Sequence, residues 1–248
     1  MKFDSIRIVL VATSHPGNIG STARAMKAMG FSRLYLVTPK IFPDLKAKEM
    51  AAGADDILAN CVITQTLDDA LKGCQLAIAT SARPRDLALP GLSTREFAEH
   101  VVSQTDTTEV AIVFGREHAG LTNDELLKCH YHVNIPANPE FSSLNLAQAV
   151  QIMTYELRMH LLSPVAEVAR HTEEIATVDQ IEQFYEHLTD VMKLIQFLKP
   201  ENTRRLQQRI RRLFNRARME HTEVNILRGI LSHVQNALQR STGGQIDD

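Results

Sequence analysis

The strongest constraint on the fold is an alternation of short apolar runs with helical patterns over the first 162 residues. Apolar runs bounded by turn residues occur at 6–12, 33–37, 62–63, 76–79, 110–114 and 131–135. Helical patterns occur between them at 19–29, 45–51, 67–72, 94–102 and 123–128, and a longer one begins at 146. Strands that alternate with helices predict an α/β domain, residues 1–163, with a mostly parallel sheet covered by helices on both faces.

The pattern changes after this domain. Residues 164–178 are polar and lack a sustained apolar stripe, which is typical of a linker. Three helical patterns follow at 179–198, 203–218 and 222–240, with apolar residues at helical spacing. They predict a small all-helical domain at 179–240, and residues 241–248 are expected to be a frayed tail.

Composition excludes several classes of protein. No apolar run approaches the roughly 20 residues that a membrane span needs, and the N-terminus lacks the features of a secretory signal. Cys61, Cys74 and Cys129 are odd in number and form no CxxC pair, which argues against disulfides and structural zinc. We therefore expect a cytoplasmic protein without membrane segments or a bound metal.

The net charge of −2 hides a strongly basic segment. Residues 203–218 contain seven arginines and no acidic residue. This run is either a solvated helix face or a stripe that follows the phosphates of a folded RNA, and the second role predicts binding that falls steeply with salt.

The loop 137–145, between the last apolar run and the long helix, is a candidate site. Pro136 and Pro139 keep the backbone extended and remove two amide donors, so the other loop amides need partners in the loop, in water or in a ligand. Ser142, Ser143 and Asn145 can each cap the helix, but one cap usually suffices. The loop is therefore also suited to cradle a polar ligand.

Residues 13–24 form a second polar loop, between the first strand and the first helix. Its glycine spacing is not GxGxxG, which disfavours a dinucleotide site. Arg24 lies about one turn into the helix and either offers a planar fork to a phosphate or is simply solvated. His15 is either an acid/base group or polar surface.

Two further loops follow predicted strands. Residues 79–85 supply small side chains and two arginines, and they form either a binding loop or a simple turn. Residues 114–121 contain two glycines that permit close backbone approach. Glu117 beside Arg116 is either functional or one half of an ion pair. Four polar loops at one edge of a parallel sheet predict a ligand-binding site.

These loops resemble the three motifs of the SpoU branch of the SPOUT RNA methyltransferases. The matching segments are Asn18 with Arg24, then Phe114-Gly115-Arg116-Glu117-His118-Ala119-Gly120-Leu121, then Ile135-Pro136 with Ser143-Leu144-Asn145. Nearly end to end, the chain is similar to the TrmJ subfamily, which methylates a ribose 2′-hydroxyl at nucleotide 32 of the tRNA anticodon loop. The segments 6–11, 80–83 and 138–145 carry that likeness.

The resemblance implies a deep trefoil knot in the last strands and helix of the first domain, a homodimer, a tRNA substrate and S-adenosyl-L-methionine as cofactor. It implies that the cofactor is held by Thr80, Ser81, Ala82, Gly115, Ile135, Ser142, Ser143 and Leu144. It also implies that Arg24, Ser143 and Asn145 lie nearest the reacting groups, supported by Asn18 and Glu117. The RNA contacts that we predict are Arg83, Arg85, Arg204, Arg205, Arg209, Arg211, Arg212 and Arg216.

Methyl transfer from a sulfonium to a 2′-oxygen is an in-line displacement that needs alignment and a more nucleophilic oxygen, but no metal. An arginine has a pKa above ~12 and is rarely neutral, so we expect Arg24 to hold a phosphate and stabilise developing negative charge rather than to remove the proton. Two alternatives stay open: a non-catalytic RNA-binding protein with the same fold, and a methyltransferase that acts on ribosomal RNA.

Overall fold

The computed structural model describes residues 3–81, 89–104, 107–162, 175–198 and 203–243. The chain divides into two compact units, an N-terminal unit, Met1–Thr172, and a C-terminal unit, Glu173–Asp248. Each has a hydrophobic core of its own. The linker predicted at 164–178 lies mostly outside the described residues, so its boundaries stay a prediction.

The N-terminal unit is built on a seven-stranded sheet in which the described strands pair in parallel throughout. The strands are β1 (Ile6–Val11), β2 (Arg33–Val37), β3 (Val62–Thr64), β4 (Leu76–Thr80), β5 (Gly91–Leu92), β6 (Val110–Phe114) and β7 (Tyr131–Val133). Their order across the sheet is β3-β2-β1-β6-β4-β7-β5. The predicted mostly parallel α/β fold is confirmed. No pattern in the sequence predicts β5, because two residues are too few to show an alternation.

Every residue of β1 and β6 is buried, as expected for central strands that helices cover on both faces. The helices of this unit in the described residues are α1 (Pro16–Met29), α2 (Leu45–Ala51), α3 (Asp55–Ala59), α4 (Leu67–Leu71), α5 (Thr94–Val102), α6 (Asn123–Leu126) and α7 (Leu146–Leu162). Thr66, Ser93 and Thr122 each begin a helix with a capping box, which satisfies amides that the first turn leaves unpaired. The sequence does not predict α3, since this five-residue helix buries only Ile57.

The strand register brings four loops to one edge of the sheet. Leu10 pairs with Phe114, and Thr80 pairs with Val133, so β1, β6, β4 and β7 end side by side. The loops after these strands leave the sheet at its carboxyl edge, where α/β folds bind ligands. The strand β7 lies between β4 and β5 rather than beside β6, its neighbour in the sequence.

The C-terminal unit is helical, as predicted. It contains α8 (Val178–Leu194), α9 (Thr203–Ala217) and α10 (His221–Gly243). Its core includes Phe184, Tyr185, Met219 and Val224. The helix α10 extends to Gly243, beyond the predicted start of the tail at 241, and residues 244–248 lie outside the described part. None of the described helices in either unit is both long and apolar enough to cross a membrane.

Candidate active site

The loops at the carboxyl edge of the sheet enclose a cavity of about 170 Å³, here called the loop cavity. Most of the predicted cofactor residues line it, namely Thr80, Ser81, Gly115, Ile135, Ser142, Ser143 and Leu144. Ala82 lies outside the described residues. The fold therefore brings residues from three separate segments of the chain together around the loop cavity.

The loop cavity has both an apolar and a polar lining. Phe114, Leu121 and Val133 are buried apolar residues in its wall. The polar loops are tied to one another: the Ser81 amide donates to the Val133 carbonyl at 3.0 Å, and the Asn134 side chain donates to the Ser81 carbonyl at 3.1 Å. A ligand with an apolar body and a few polar groups fits such a lining.

Gly115 is required by the shape of the loop that follows β6. A Cβ atom at this position would lie 2.2 Å from the carbonyl carbon of Gly120 and 2.3 Å from the Leu121 nitrogen. Arg116 and Gly120 close the loop with reciprocal backbone hydrogen bonds of 3.2 and 2.9 Å. Only glycine permits this approach of backbone to backbone.

Glu117 joins this loop to the loop after β1. Its carboxylate accepts hydrogen bonds from the Ser14 amide and hydroxyl, the His15 amide at 3.1 Å and the Asn18 side chain at 2.9 Å. Burial disfavours the charged form, but the hydrogen bonds from Asn18, Ser14 and His15 outweigh it and lower the pKa of Glu117 to about 2. The side chain is therefore a fixed anion that holds two loops together.

Asn18 extends the link to the third loop. Its Oδ1 atom accepts from Asn145 Nδ2 at 2.9 Å, while Asn145 Oδ1 accepts from the Ala147 amide at 2.9 Å and so caps α7. Glu117, Asn18 and Asn145 thus form one chain of hydrogen bonds across residues far apart in the sequence.

Arg24 lies in a second cavity, here called the helix groove. This wider groove of about 570 Å³ is lined by residues of α1, α2 and α7 and includes His15, Asn18, Arg24 and Asn145. Arg24 is exposed and has no hydrogen-bond partner among the residues that the structure describes. The predicted catalytic residues therefore divide between two cavities, which the hydrogen bond from Asn18 to Glu117 connects.

Arg116 does not pair with Glu117, the ion pair that the sequence left open. It makes two hydrogen bonds to Glu125 at 2.9 and 3.0 Å, and these raise the pKa of Arg116. His118 and Ala119 also line the loop cavity, although sequence reasoning assigned them no role. The sequence signal that could have identified them is their position in a glycine-flanked loop after a strand.

The arginines of α9 fall into two groups. Arg211 makes a two-pronged ion pair with Glu182, at 2.5 and 2.7 Å, and its guanidinium stacks 4.5 Å from the centre of the Tyr185 ring. Arg205, Arg209, Arg212 and Arg216 are instead exposed, as is Arg204. The spacing of these four, at three and four residues, places them on one helix face. Arg83 and Arg85 lie outside the described residues.

Within the described ranges, no group of three or more His, Cys, Asp or Glu side chains is arranged to hold a metal ion. The loop cavity does suit an adenosine-like sulfonium donor, because its apolar wall, its polar loops and the fixed anion Glu117 offer complementary groups.

Two family models match the two parts of the chain. The SpoU rRNA Methylase family matches residues 5–155, and the domain described as "tRNA methyltransferase TrmJ, C-terminal domain" matches residues 179–243. The chain therefore belongs to the SpoU methylase family. Within it the chain falls in the TrmJ group, as a relative from Pectobacterium atrosepticum shows: this "tRNA (cytidine/uridine-2'-O-)-methyltransferase TrmJ" is 53% identical over 94% of this chain and 97% of its own.

Solved structures support the same grouping. TrmJ from Z. mobilis ZM4 is 31% identical and has a TM-score of 0.83, covering 92% of this chain and 98% of that one. An AdoMet-bound rRNA methyltransferase from Sinorhizobium meliloti is 27% identical with a TM-score of 0.50, covering 64% of this chain and 57% of that one.

Proposed function

We propose that this protein transfers a methyl group from S-adenosyl-L-methionine to a ribose 2′-hydroxyl in tRNA, at cytidine or uridine 32 of the anticodon loop. The observation that carries the proposal is the chain of hydrogen bonds from Glu117 through Asn18 to Asn145. This chain joins a cavity suited to the methyl donor to a groove that contains an exposed arginine. The names of the relatives at about 50% identity support the same reaction.

The loop cavity is the proposed cofactor site. Backbone groups near Thr80, Gly115 and Leu144 would hold the adenosine portion, and the apolar wall would cover its ring. The bound cofactor supplies an activated methyl group on a positively charged sulfur. Ser142 and Ser143 lie on the exposed side of the loop, where their hydroxyls can meet the incoming ribose.

The helix groove is the proposed site for the sugar-phosphate. Arg24 presents five donors in a planar fork, so it can hold the phosphate beside the reacting ribose and stabilise negative charge on the 2′-oxygen. Asn145 is held in place by Asn18 and by the first turn of α7, so it can orient the ribose at little entropic cost.

The face of α9 that carries Arg205, Arg209, Arg212 and Arg216 is the proposed contact with the rest of the tRNA. Arginines on one exposed helix face can follow a phosphate backbone without reading bases. Arg204 adds a charge beside this face, and Arg83 and Arg85 stay proposed contacts from the sequence. Arg211 is a weaker candidate, because its guanidinium already holds Glu182.

We further propose a homodimer in the cytoplasm and a trefoil knot in the N-terminal unit. Tyr155, Met159 and Leu162 are 49%, 44% and 58% exposed on α7, and their spacing gives an apolar stripe that a second copy would cover. The position of β7 between β4 and β5 supports the knot, since the chain must pass back across the sheet to reach it. Sedimentation at micromolar concentration would detect the dimer, and a single monomeric species would contradict it.

The function is tested by incubating the protein with methyl-labelled cofactor and either bulk tRNA or ribosomal RNA, then mapping the label. We expect 2′-O-methyl at pyrimidine 32 of tRNA. Label in ribosomal RNA alone would move the reaction to that substrate, and tRNA binding without any label would support a non-catalytic RNA-binding protein. Arg24→Lys keeps the charge but loses the fork, so nearly full turnover in this variant would contradict the proposed phosphate clamp.

A further inference from the structure

We propose that His15 is the proton acceptor for the ribose 2′-hydroxyl. This inference rests on the proposed methyl transfer and assigns the one step that the motif residues leave without a base. The hydroxyl must lose a proton as its oxygen is methylated, and Arg24 is a poor acceptor because guanidinium stays charged near neutral pH.

The titratable side chains that line the two cavities form a short set in the described residues: Glu117, His118 and Arg116 in the loop cavity, and His15, Arg24 and Lys46 in the helix groove. Glu117 is a weak base, because its hydrogen bonds from Ser14, His15 and Asn18 hold its pKa at about 2. Arg116 is bound to Glu125. Lysine and arginine are protonated near pH 7. The imidazoles of His15 and His118 are therefore the remaining candidates for the proton acceptor.

Of the two histidines, His15 lines the groove proposed for the sugar-phosphate, together with Arg24 and Asn145. His118 lines the cofactor cavity instead. The two rings lie 6.4 Å apart, centre to centre, so His15 stands where the two cavities meet. An acceptor at this position can approach the ribose from the groove side without entering the space of the methyl donor.

Hydrogen bonds hold the backbone of His15, while the side chain is exposed. Its amide donates to Glu117 at 3.1 Å, and its carbonyl accepts from the Asn18 amide at 3.0 Å. His15 occupies the N-cap position of α1, yet its side chain makes no capping hydrogen bond. Pro16 restricts the His15 backbone to an extended shape. The residue is therefore held like a cap but leaves its imidazole exposed to the groove.

In the proposed step, the proton moves from the 2′-oxygen to an imidazole nitrogen of His15 as the oxygen–methyl bond forms and the sulfonium–methyl bond breaks. The positive charge passes from sulfur to the imidazolium, which then releases the proton to water. The titratable groups around His15 are the Glu117 carboxylate, which accepts from the His15 amide, the His118 imidazole, whose ring centre lies 6.4 Å from that of His15, and the cations of Arg24 and Lys46, which line the same groove.

The test is single-turnover methyl transfer with saturating cofactor and tRNA between pH 5 and 9. For the wild type we expect the rate to fall as pH drops, because a protonated imidazole cannot accept a proton. His15→Gln should lower the rate at pH 7.5 by about 100-fold or more, the usual contribution of a general base. It should also remove the acid limb, while the Kd values for S-adenosylhomocysteine and tRNA stay within about twofold of wild type.

Two controls sharpen the result. His160 lies on α7 and lines neither cavity. The variant His160→Gln should therefore keep the wild-type rate and the wild-type dependence of rate on pH. Free imidazole should restore part of the rate to His15→Ala at pH values where imidazole is neutral. In the wild type, an NMR titration of the His15 ring should have its midpoint at the pH that limits the rate.

Three outcomes would overturn the inference while leaving the proposed function intact. The first is a His15→Gln variant that methylates tRNA at the wild-type rate with its acid limb unchanged. The second is a wild-type rate that falls as pH rises, because His15 would then act as a cation on the phosphate. The third is a loss explained wholly by weaker tRNA binding. A wild-type protein that methylates no RNA would instead contradict the proposed function itself.

Discussion

The loop cavity and the arginine face of α9 hold their polar groups in opposite ways. In the cavity, Glu117 is fixed by donors from Ser14, His15 and Asn18, and the loop shape depends on a glycine. On α9, Arg205, Arg209, Arg212 and Arg216 extend into solvent. Preorganised groups select a small ligand by geometry, whereas exposed surface cations recognise a phosphate backbone by charge.

Arg211 is an exception to that contrast, because it belongs to the arginine run in the sequence but is partly buried against α8 in the structure. Its fork is matched to Glu182, and the Tyr185 ring that it covers donates through its hydroxyl to Asn215 at 2.7 Å. Charge in a sequence therefore does not by itself assign an arginine to a partner. If the two regions differ as their geometry indicates, substitutions in the loop cavity and on α9 should have different effects.

Among the substitutions that compare these two regions, Gly115→Ala is expected to have the largest effect. Its Cβ atom would meet the backbone of Gly120 at 2.2 Å, and backbone cannot yield as a flexible side chain does. The strain, about 1–3 kcal/mol, should weaken cofactor binding by roughly 10- to 100-fold in calorimetry. Gly229→Ala is the matched control, since a Cβ there meets nothing within 4 Å. It should leave cofactor binding unchanged and stabilise α10 by about 0.5–1 kcal/mol. Equal cofactor affinities in the two variants would contradict the account.

Glu117→Gln should lower the free energy of unfolding at pH 7 by about 1–3 kcal/mol, because it removes the charge on which several donors converge. The folded-state pKa of Glu117, about 2, lies below the ordinary value of 4.5, so its stabilisation is full above pH 4.5 and is lost as the pH falls through about 2. Urea denaturation at pH 7, 4 and 3 should show the gap between wild type and variant narrowing with acid.

The control for this experiment is Glu99→Gln on the exposed face of α5, which should match wild type at each pH. A gap between wild type and Glu117→Gln that is constant with pH would show that the carboxylate is not held as its hydrogen bonds indicate.

Arg211→Gln and Arg212→Gln are neighbouring substitutions with opposite expected results. Arg211→Gln leaves Glu182 without its partner, so it should destabilise the C-terminal unit by about 1–3 kcal/mol. Arg212→Gln should leave thermal unfolding unchanged within about 0.5 kcal/mol but weaken tRNA binding. If both variants lowered stability equally, the division of α9 into a packed side and an RNA face would be wrong.

The smallest effect concerns the dependence of tRNA affinity on salt. Removing one phosphate contact should reduce the slope of log K against log salt by about 0.7–0.9. Arg209→Gln should show this change, while the double variant with Arg212→Gln should show about twice as much. The affinity of wild type for S-adenosylhomocysteine should hardly vary over the same salt range. If neither variant changed the salt dependence of tRNA affinity, α9 would not contact the RNA.

Much of the N-terminal unit follows from patterns within short windows. The apolar run 110–114 coincides with β6, and the helical pattern 94–102 coincides with α5, because each element buries one periodic face. The position of each polar loop directly after a strand also predicted that these loops would meet at the carboxyl edge of the sheet. The resemblance then selected the residues of the loop cavity, since no periodicity distinguishes Ser143 from any other capping serine.

Contacts between distant residues could not be predicted. Arg116 is adjacent to Glu117, yet it pairs with Glu125, because the turn from Gly115 to Gly120 aims it there. The bond between Asn18 and Asn145 joins residues 127 positions apart, and Arg211 meets Glu182 across two helices. Such pairs depend on where the backbone returns after folding, which a local pattern does not contain.

The most direct test is a crystal structure of the protein grown with S-adenosylhomocysteine. We predict ligand density in the loop cavity, against Gly115 and Leu144, with its sulfur directed toward the side on which Asn145 and Arg24 lie. Density confined to the helix groove or to the C-terminal unit, with the loop cavity open, would contradict the assignment of the methyl-donor site.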